Sequence, residues 1–155
     1  MKEKECDHFV DSIIYLIEQT AIYNRTKAIQ LFDDLKIGLT FDQYCALDAV
    51  SINEGICQRD LAKLILKDRS YTTRLATMLE DKGLIFRKIE EKGSRLVKRL
   101  YLTEAGINVI SKNQENLKDI STEIFKEMTD EEFNTLRNTL EKLKQCISKY
   151  TVMPL

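Results

Sequence analysis

The sequence is poor in the residues that build catalytic and metal-binding sites. It has no tryptophan, a single histidine (His8) and four cysteines, none of which form a Cys-x-x-Cys pair. A zinc site with cysteine and histidine ligands is therefore not expected. The chain also lacks a glycine-rich phosphate loop and any paired nucleophile and base, so we predict neither an enzyme nor a bound cofactor or metal.

Long apolar runs are also missing. The run at residues 13–17 is far too short to span a bilayer, and the first residues mix both charges without leading into a long apolar stretch. Because this is not the pattern of a signal peptide, we expect a cytoplasmic protein with no membrane partner. In that compartment its four cysteines should be thiols and not structural disulfides.

Charge is distributed unevenly along a chain whose net charge is only −1. Residues 58–103 hold 12 Lys and Arg against 6 Asp and Glu, a net charge of +6, whereas the rest of the chain carries −7. A basic middle between acidic ends is typical of a surface that binds nucleic acid, although an uneven solvated face would give the same count.

Five glycines and one proline predict a mainly α-helical protein. Apolar residues at three- and four-residue spacing predict one long helix over about 7–35. Thr40 with Gln43 is a capping-box pattern that starts a second helix over about 41–53. A short third helix is expected to turn three side chains inward: Leu61, Leu64 and Ile65.

The next helix, residues 68–82, has an unusual surface. Leu75 and Leu79 are predicted to point into the core, and Gly83 supplies the C-terminal stop. The outer face carries hydroxyl groups and one cation instead of the usual Glu and Lys: Ser70, Tyr71, Thr73, Arg74 and Thr77. Alternating residues on both sides of 92–94 then predict a β-hairpin, which is the only strong strand signal in the chain.

Helix, short helix, polar-faced helix and hairpin is the order of a winged helix-turn-helix, which we place at 39–103. In such a domain the third helix enters the DNA major groove, where hydroxyls and Arg74 can bond phosphates and base edges. Lys92 and Arg95 at the hairpin suit phosphates or a narrow minor groove.

Each of these residues also has a simpler interpretation. Ser70 could be only an N-cap, Tyr71 a packing residue, and Arg74 the partner of Asp68 or Asp81. The hairpin cations could be ordinary solvated turn residues. The basic face as a whole could also bind an acidic protein, as in a winged helix used for protein–protein contact.

The flanking segments, 1–38 and 104–155, are helical and acidic. Thr129 with Glu132 predicts the start of the last helix, which carries a heptad seam of apolar residues: Phe133, Leu136, Leu140, Leu143, Ile147 and Tyr150. The seam could pack within its own chain. Because these helices are longer than the winged domain can cover, we instead expect them to form a homodimerisation layer.

Four stretches of the chain resemble the MarR (multiple antibiotic resistance) regulators: 39–47, 58–65, 68–85 and 95–106. The resemblance runs without gaps over nearly the whole chain, and TTRL…LEDKGLI and LTEAG are its most specific parts. It implies a homodimeric transcriptional regulator, usually a repressor. Because an operator must match the two-fold symmetry of such a protein, we expect the bound duplex to be pseudo-palindromic. The resemblance also implies a recognition-helix surface made by Ser70, Tyr71, Thr73, Arg74 and Thr77, with Arg95 on the wing.

The chain departs from the family pattern at three places. Ser94-Arg95-Leu96 stands where Asp-Arg-Arg is usual, which removes an acidic brace and one cation from the wing; Lys92 or Lys98 is the expected substitute. The position of Thr72 is usually apolar, so looser packing under the helix is expected. Cys57 stands where a serine commonly caps the short helix, and sulfur caps poorly.

The resemblance implies control by a small ligand or by thiol oxidation. A small aromatic or apolar effector would enter a crevice between the helical layer and the winged domain, with Tyr15, Tyr23, Phe41 and Tyr44 as candidate walls. Aromatic residues at helical spacing are more often plain core. Cys6 and Cys146 are the candidates for oxidation, but no neighbouring base is evident in the sequence, which favours inert thiols.

Overall fold

The computed structural model describes residues 8–92 and 95–152, which divide into two compact units between Tyr44 and Cys45. The chain is mainly helical, with a small antiparallel sheet, as predicted. Its elements in order are α1 (Ile13–Asp34), α2 (Phe41–Ser51), β1 (Ile56–Cys57), α3 (Gln58–Leu64), α4 (Arg69–Asp81), β2 (Ile85–Lys92), β3 (Arg95–Leu102), α5 (Glu104–Phe125) and α6 (Asp130–Ser148).

The first helix is shorter at its N-terminus than the predicted span 7–35. A 3-10 turn over Phe9–Asp11 precedes it, and Ser12 is extended, with its hydroxyl accepting a hydrogen bond from the Tyr15 N–H. A serine cap satisfies a backbone donor that has no partner within the helix, which fixes the start at Ile13. Apolar periodicity alone could not show this break.

The unit that ends at Tyr44 is organised around Phe32. This buried side chain packs edge-to-face on Phe41 and Tyr44, with ring centroids 5.9 and 5.3 Å apart. Arg25 on α1 binds the Asp42 carboxylate through two hydrogen bonds of 3.2 and 3.1 Å, and such paired bonds add geometric specificity.

The predicted capping box at the start of α2 is present. The Thr40 N–H donates to Gln43 Oε1 at 3.1 Å, and the Gln43 N–H donates to Thr40 Oγ1 at 3.2 Å. These reciprocal bonds satisfy two backbone donors at the helix start. The helix ends at Ser51, two residues before the predicted end.

The core of the second unit is built from large apolar side chains of helices and strands. The fully buried members include Leu47, Leu61, Leu79, Ile85 and Leu100. One part of the prediction was wrong here, because Leu64 is 49% exposed and Ile65 is half-buried. Helix α3 has only seven residues, and its inner face is completed by Ala62.

Helix α4 is preceded by an aspartate cap and followed by a glycine. Asp68 is the N-cap and accepts a hydrogen bond of 2.8 Å from the Tyr71 N–H, so the alternative of Ser70 as the N-cap was wrong. Gly83 adopts a φ of +68°, as a helix stop requires. Thr72 is completely buried and donates its hydroxyl to the Asp68 carbonyl at 2.9 Å, which satisfies the polar group at this usually apolar position.

The predicted hairpin is present and belongs to a three-stranded sheet of order β1-β3-β2. Ile85 pairs with Leu102 at one end of the hairpin and Lys92 with Arg95 at the other. The sequence did not predict β1, whose Ile56 and Cys57 pair with Leu100 and Arg99. Two residues are too short a run to show the alternation that marks a strand.

Helices α5 and α6 begin with threonine caps. Thr129 forms the predicted capping box with Glu132. In α5, an added Cβ at Gly106 would lie 2.1 Å from the Leu84 carbonyl oxygen, so only glycine allows this close backbone approach. Within the described ranges, no helix combines the length and the apolar character that a membrane crossing requires.

Candidate nucleic-acid interface

The buried face of α4 determines which of its other side chains face the solvent. Thr72, Leu75, Ala76 and Leu79 are all buried, as predicted. The spacing of helical side chains then turns the intervening positions outward. The structure places the predicted recognition residues on this outward face: Ser70, Thr73, Arg74 and Thr77 are exposed, and Tyr71 is half-buried.

Two cations lie over the ring of Tyr71. Lys67 Nζ and Arg74 Cζ are each 5.4 Å from the ring centroid. This cation–π contact restricts the position of the Arg74 guanidinium, which stays exposed to solvent. Among the ion pairs of residues 8–92 and 95–152, none joins Arg74 to Asp68 or Asp81, the alternative partners considered above.

The two outward threonines of α4 differ in their hydrogen bonds. Thr73 Oγ1 donates to the Arg69 carbonyl at 2.8 Å, so its hydrogen is used within the helix. Thr77 Oγ1 accepts from Arg87 Nη2 at 3.0 Å, so its own hydrogen is left to be donated. The helix therefore presents an acceptor at Thr73 and a donor at Thr77.

Arg87 connects the first hairpin strand to the recognition face. Besides its bond to Thr77, its guanidinium forms an ion pair with the Glu80 carboxylate. The Arg87 side chain is only 20% exposed. Arg87 and Lys67 were not among the residues predicted from the sequence. The Arg87 contact joins a strand and a helix whose relative positions periodicity does not give, and Lys67 lies in the connection between α3 and α4.

A second polar cluster braces the hairpin on its other face. The Tyr101 hydroxyl donates to Glu90 Oε1 at 2.8 Å, and Arg99 Nε lies 3.3 Å from Glu90 Oε2. The hydrogen bond from Tyr101 is the main cause that lowers the pKa of Glu90, and the same bond raises the pKa of Tyr101. Arg99 Nη1 also donates to the Gly55 carbonyl at 2.7 Å, which ties the hairpin to the segment before β1.

The hairpin end holds the two predicted wing cations at paired backbone positions. Lys92 is the last residue of β2, Arg95 is the first of β3, and the two are register partners. Ser94, at the departure from the family pattern, lies outside the described residues. Lys98 is exposed, as its expected substitute role requires.

Cys57 is the N-cap residue of α3 but does not cap it with its side chain. Its Sγ instead donates to Asp60 Oδ2 at 3.0 Å. This hydrogen bond is the main cause that lowers the pKa of Asp60. The expectation that sulfur caps poorly is thus confirmed at this helix.

The candidate effector residues do not form one cluster. Phe41 and Tyr44 both pack on Phe32, whereas Tyr15 packs on Phe9 with ring centroids 5.8 Å apart. Tyr23 is 79% exposed. The structure therefore brings together only two of the four residues, in a packed aromatic core.

Of the two redox candidates, one lies in the part of the chain that the structure describes. Cys146 is exposed on α6, and Cys6 lies outside the described residues. In the described part of the chain, no group of three or more His, Cys, Asp and Glu side chains has the arrangement of a metal site.

Comparison with known proteins identifies the fold and a family that the chain resembles. No curated protein matches the chain in sequence. The MarR family model matches residues 37–96. The transcriptional regulator SlyA is 28% identical, with a TM-score of 0.77 over 89% of this chain and 95% of SlyA. Residues 37–96 are therefore of MarR-family type, and the chain has a MarR-like winged helix-turn-helix fold.

More distant solved structures share the fold. MepR of S. aureus, solved in a complex with DNA, is 21% identical, with a TM-score of 0.77 over 90% of this chain and 99% of MepR. A MarR/EmrR family regulator from Acinetobacter sp. ADP1 is 17% identical, with a TM-score of 0.79 over 88% of this chain and 94% of its own. MarR-family proteins are transcriptional regulators and not enzymes, which agrees with the prediction from the sequence.

Proposed function

We propose that this protein is a homodimeric repressor of the MarR family that binds a pseudo-palindromic DNA duplex with α4 and the wing, and that a small ligand releases it. The observation that carries the DNA-binding part is the outward face of α4. It offers Ser70, Thr73, Arg74 and Thr77 to a partner, and the Glu80 carboxylate, three residues after Thr77, is ion-paired. MepR, a structure of the same fold, was solved in a complex with DNA.

The proposed division of labour follows the hydrogen-bonding capacity of each side chain. Arg74 would pair with two acceptors of one guanine in the major groove. The hydroxyls of Ser70, Thr73 and Thr77 would bond phosphates or mixed base edges, and Tyr71 would support Arg74. Lys92 and Arg95 would meet the backbone or the minor groove on either side of the hairpin.

The dimer part of the proposal rests on apolar side chains that one chain leaves exposed. Phe133, Leu136, Leu140 and Ile147 on α6 are 38–46% exposed, and Tyr150, just after the helix, is 90% exposed. Most of the heptad seam is therefore not buried within its own chain. Val10, Ile13 and Leu16 in the N-terminal unit are at least half exposed. We assign 1–38 and 104–155 to dimerisation and 39–103 to DNA binding.

The ligand part of the proposal rests on the aromatic residues of the N-terminal unit. Phe41 and Tyr44 already pack on Phe32, and an aromatic or apolar effector would be accommodated by rearranging such ring contacts. Tyr15 and Tyr23 complete the proposed set. Release by oxidation of Cys6 or Cys146 remains the alternative mechanism, and a cytoplasmic site of action belongs to either.

The decisive experiment is equilibrium binding to duplexes from the region upstream of the protein's own gene, measured by fluorescence anisotropy over a salt series. We expect a specific site with half-sites about one helical turn, roughly 10 base pairs, apart, because the operator must match the two-fold symmetry of the protein. Each phosphate contact should add about 0.9 to the slope of log affinity against log salt. Equal affinity for upstream and random duplexes would contradict sequence-specific regulation.

The same assay separates the two release mechanisms. Candidate aromatic acids and hydrogen peroxide are added in separate titrations to the preformed complex. Release by a ligand with no effect of peroxide supports the proposal. Release by peroxide that is lost in a Cys6→Ser or Cys146→Ser variant would assign the thiol mechanism.

A further inference from the structure

The recognition helix carries a carboxylate on its last turn that ought to oppose DNA binding. Glu80 is only partly buried and follows Thr77, an exposed member of the predicted recognition face, by three residues. Residues three apart on a helix are neighbours, so Glu80 borders the recognition face beside Thr77. An uncompensated negative charge there would repel the phosphate backbone.

The structure provides a cation for this carboxylate from a different element. Arg87 on β2 forms an ion pair with Glu80, and its second terminal nitrogen donates to Thr77 Oγ1 at 3.0 Å. The guanidinium therefore binds two residues of the recognition helix at once. Because the Arg87 side chain is 20% exposed and the Glu80 side chain is 36% exposed, the cation is the more covered partner.

We propose that Arg87 is a positioning residue for DNA binding, which neutralises Glu80 and fixes the Thr77 hydroxyl as a hydrogen-bond donor toward DNA. This inference rests on the proposed function. It assigns to Arg87 an effect on affinity that acts through α4 and needs no contact between its own guanidinium and a phosphate.

The fixed hydroxyl gives Thr77 a defined partner chemistry. With one lone pair occupied by Arg87, Thr77 offers its hydrogen to an acceptor, such as a phosphate oxygen or the acceptor edge of guanine. Thr73 has donated its hydrogen to the Arg69 carbonyl and offers an acceptor instead. The two threonines, one helical turn apart, would therefore select opposite groups along the duplex.

The test is a double-mutant cycle with Arg87→Met and Glu80→Gln, each measured on the cognate duplex and on random DNA. Methionine keeps an unbranched stem of similar length, and glutamine keeps the shape of glutamate. We expect Arg87→Met to weaken binding to both duplexes by about 3- to 10-fold, because the orphaned carboxylate faces phosphate. The double variant should recover to within about 2-fold of the wild-type affinity, because neither charge is left.

Asp81→Asn supplies the matched control, since Asp81 is an exposed acid next to Glu80 that is not paired with Arg87. Combined with Arg87→Met, it restores the same net charge but leaves Glu80 without its partner. We expect it to recover less affinity than Glu80→Gln does. Equal recovery by both would overturn the pairing and leave only a general effect of charge.

A direct contact between Arg87 and DNA predicts a different result. In that case the double variant stays as weak as Arg87→Met and shows the same reduced salt slope, which would overturn the proposal. If Arg87→Met does not fold, as judged by circular dichroism, Glu80→Gln alone decides. This variant should bind random DNA more tightly and with a steeper salt slope, and unchanged binding would contradict the proposal.

These outcomes are distinguishable from failure of the proposed function. A wild-type protein that binds no upstream duplex refutes DNA-based regulation, and the double-mutant cycle then has no specific affinity to compare. A wild-type protein that binds its operator, with additive effects of Glu80→Gln and Arg87→Met, refutes only the role of Arg87.

Discussion

Replacing Arg74 by alanine should reduce operator affinity strongly while leaving the fold intact. The guanidinium is exposed and rests over the Tyr71 ring at 5.4 Å, so its removal costs the protein itself only about 0.5–1 kcal/mol of cation–π energy. A bidentate contact to guanine contributes about 1–3 kcal/mol in each half-site. For a dimer on two half-sites the loss is about 2–6 kcal/mol, or roughly 30-fold to 2 × 10⁴-fold in affinity.

Two further variants show whether this loss comes from base reading. Arg74→Lys keeps the charge but not the paired donors, so it should weaken cognate binding while leaving the salt slope unchanged. Arg95→Ala should weaken cognate and random DNA alike and lower the slope by about 0.9 for each lost phosphate contact. Affinities are measured by anisotropy on both duplexes, with circular dichroism to verify folding. If folded, dimeric Arg74→Ala kept its operator affinity, α4 would not be the reader.

Three other substitutions address the fold and the dimer. Gly106→Ala should destabilise the protein by about 1–3 kcal/mol in thermal unfolding, because the added Cβ would lie 2.1 Å from a backbone oxygen; an unchanged Tm would contradict this. Tyr101→Phe should raise the pKa of Glu90, followed by NMR titration, since the lowered pKa comes mainly from the lost hydrogen bond. Because folding lowers the pKa of Glu90, the hydrogen bond stabilises the protein above the ordinary value of 4.5, and this stabilisation is lost as the pH falls. Tyr101→Phe lacks the bond, so it should lose less stability on acidification than the wild type. Leu140→Glu should yield monomers in sedimentation velocity at micromolar concentration, whereas Asn138→Glu, off the seam, should not; a dimeric Leu140→Glu would exclude this seam.

Local patterns in the sequence were sufficient for the elements that depend on local chemistry. The capping boxes at Thr40 and Thr129, the stop at Gly83 and the existence of the hairpin all follow from local runs of residues. The buried face of α4 follows from its period alone. The same reasoning predicted which side chains of α4 face outward, because the outward face is the complement of the buried one.

The remaining features depend on contacts between distant parts of the chain. Strand β1 exists because Ile56 and Cys57 pair with residues more than forty positions later, and no local signal marks it. The contact of Arg87 with Glu80 requires the strand to lie against the helix. Leu64 was expected inside because its type and spacing fit, but it is the last residue of α3, whose buried face is formed by Leu61 and Ala62.

The sheet also determines which strand edges could pair with a second copy of the chain. Its central strand, β3, is paired on both sides, so only the outer edges of β1 and β2 remain open. Strand β1 offers two residues, too few to template another strand. Strand β2 is eight residues long, but five of them are charged, and charged edges discourage pairing between chains. Aggregation through added β-strands is thereby disfavoured, even at the high protein concentrations at which the proposed helical seam would form a dimer.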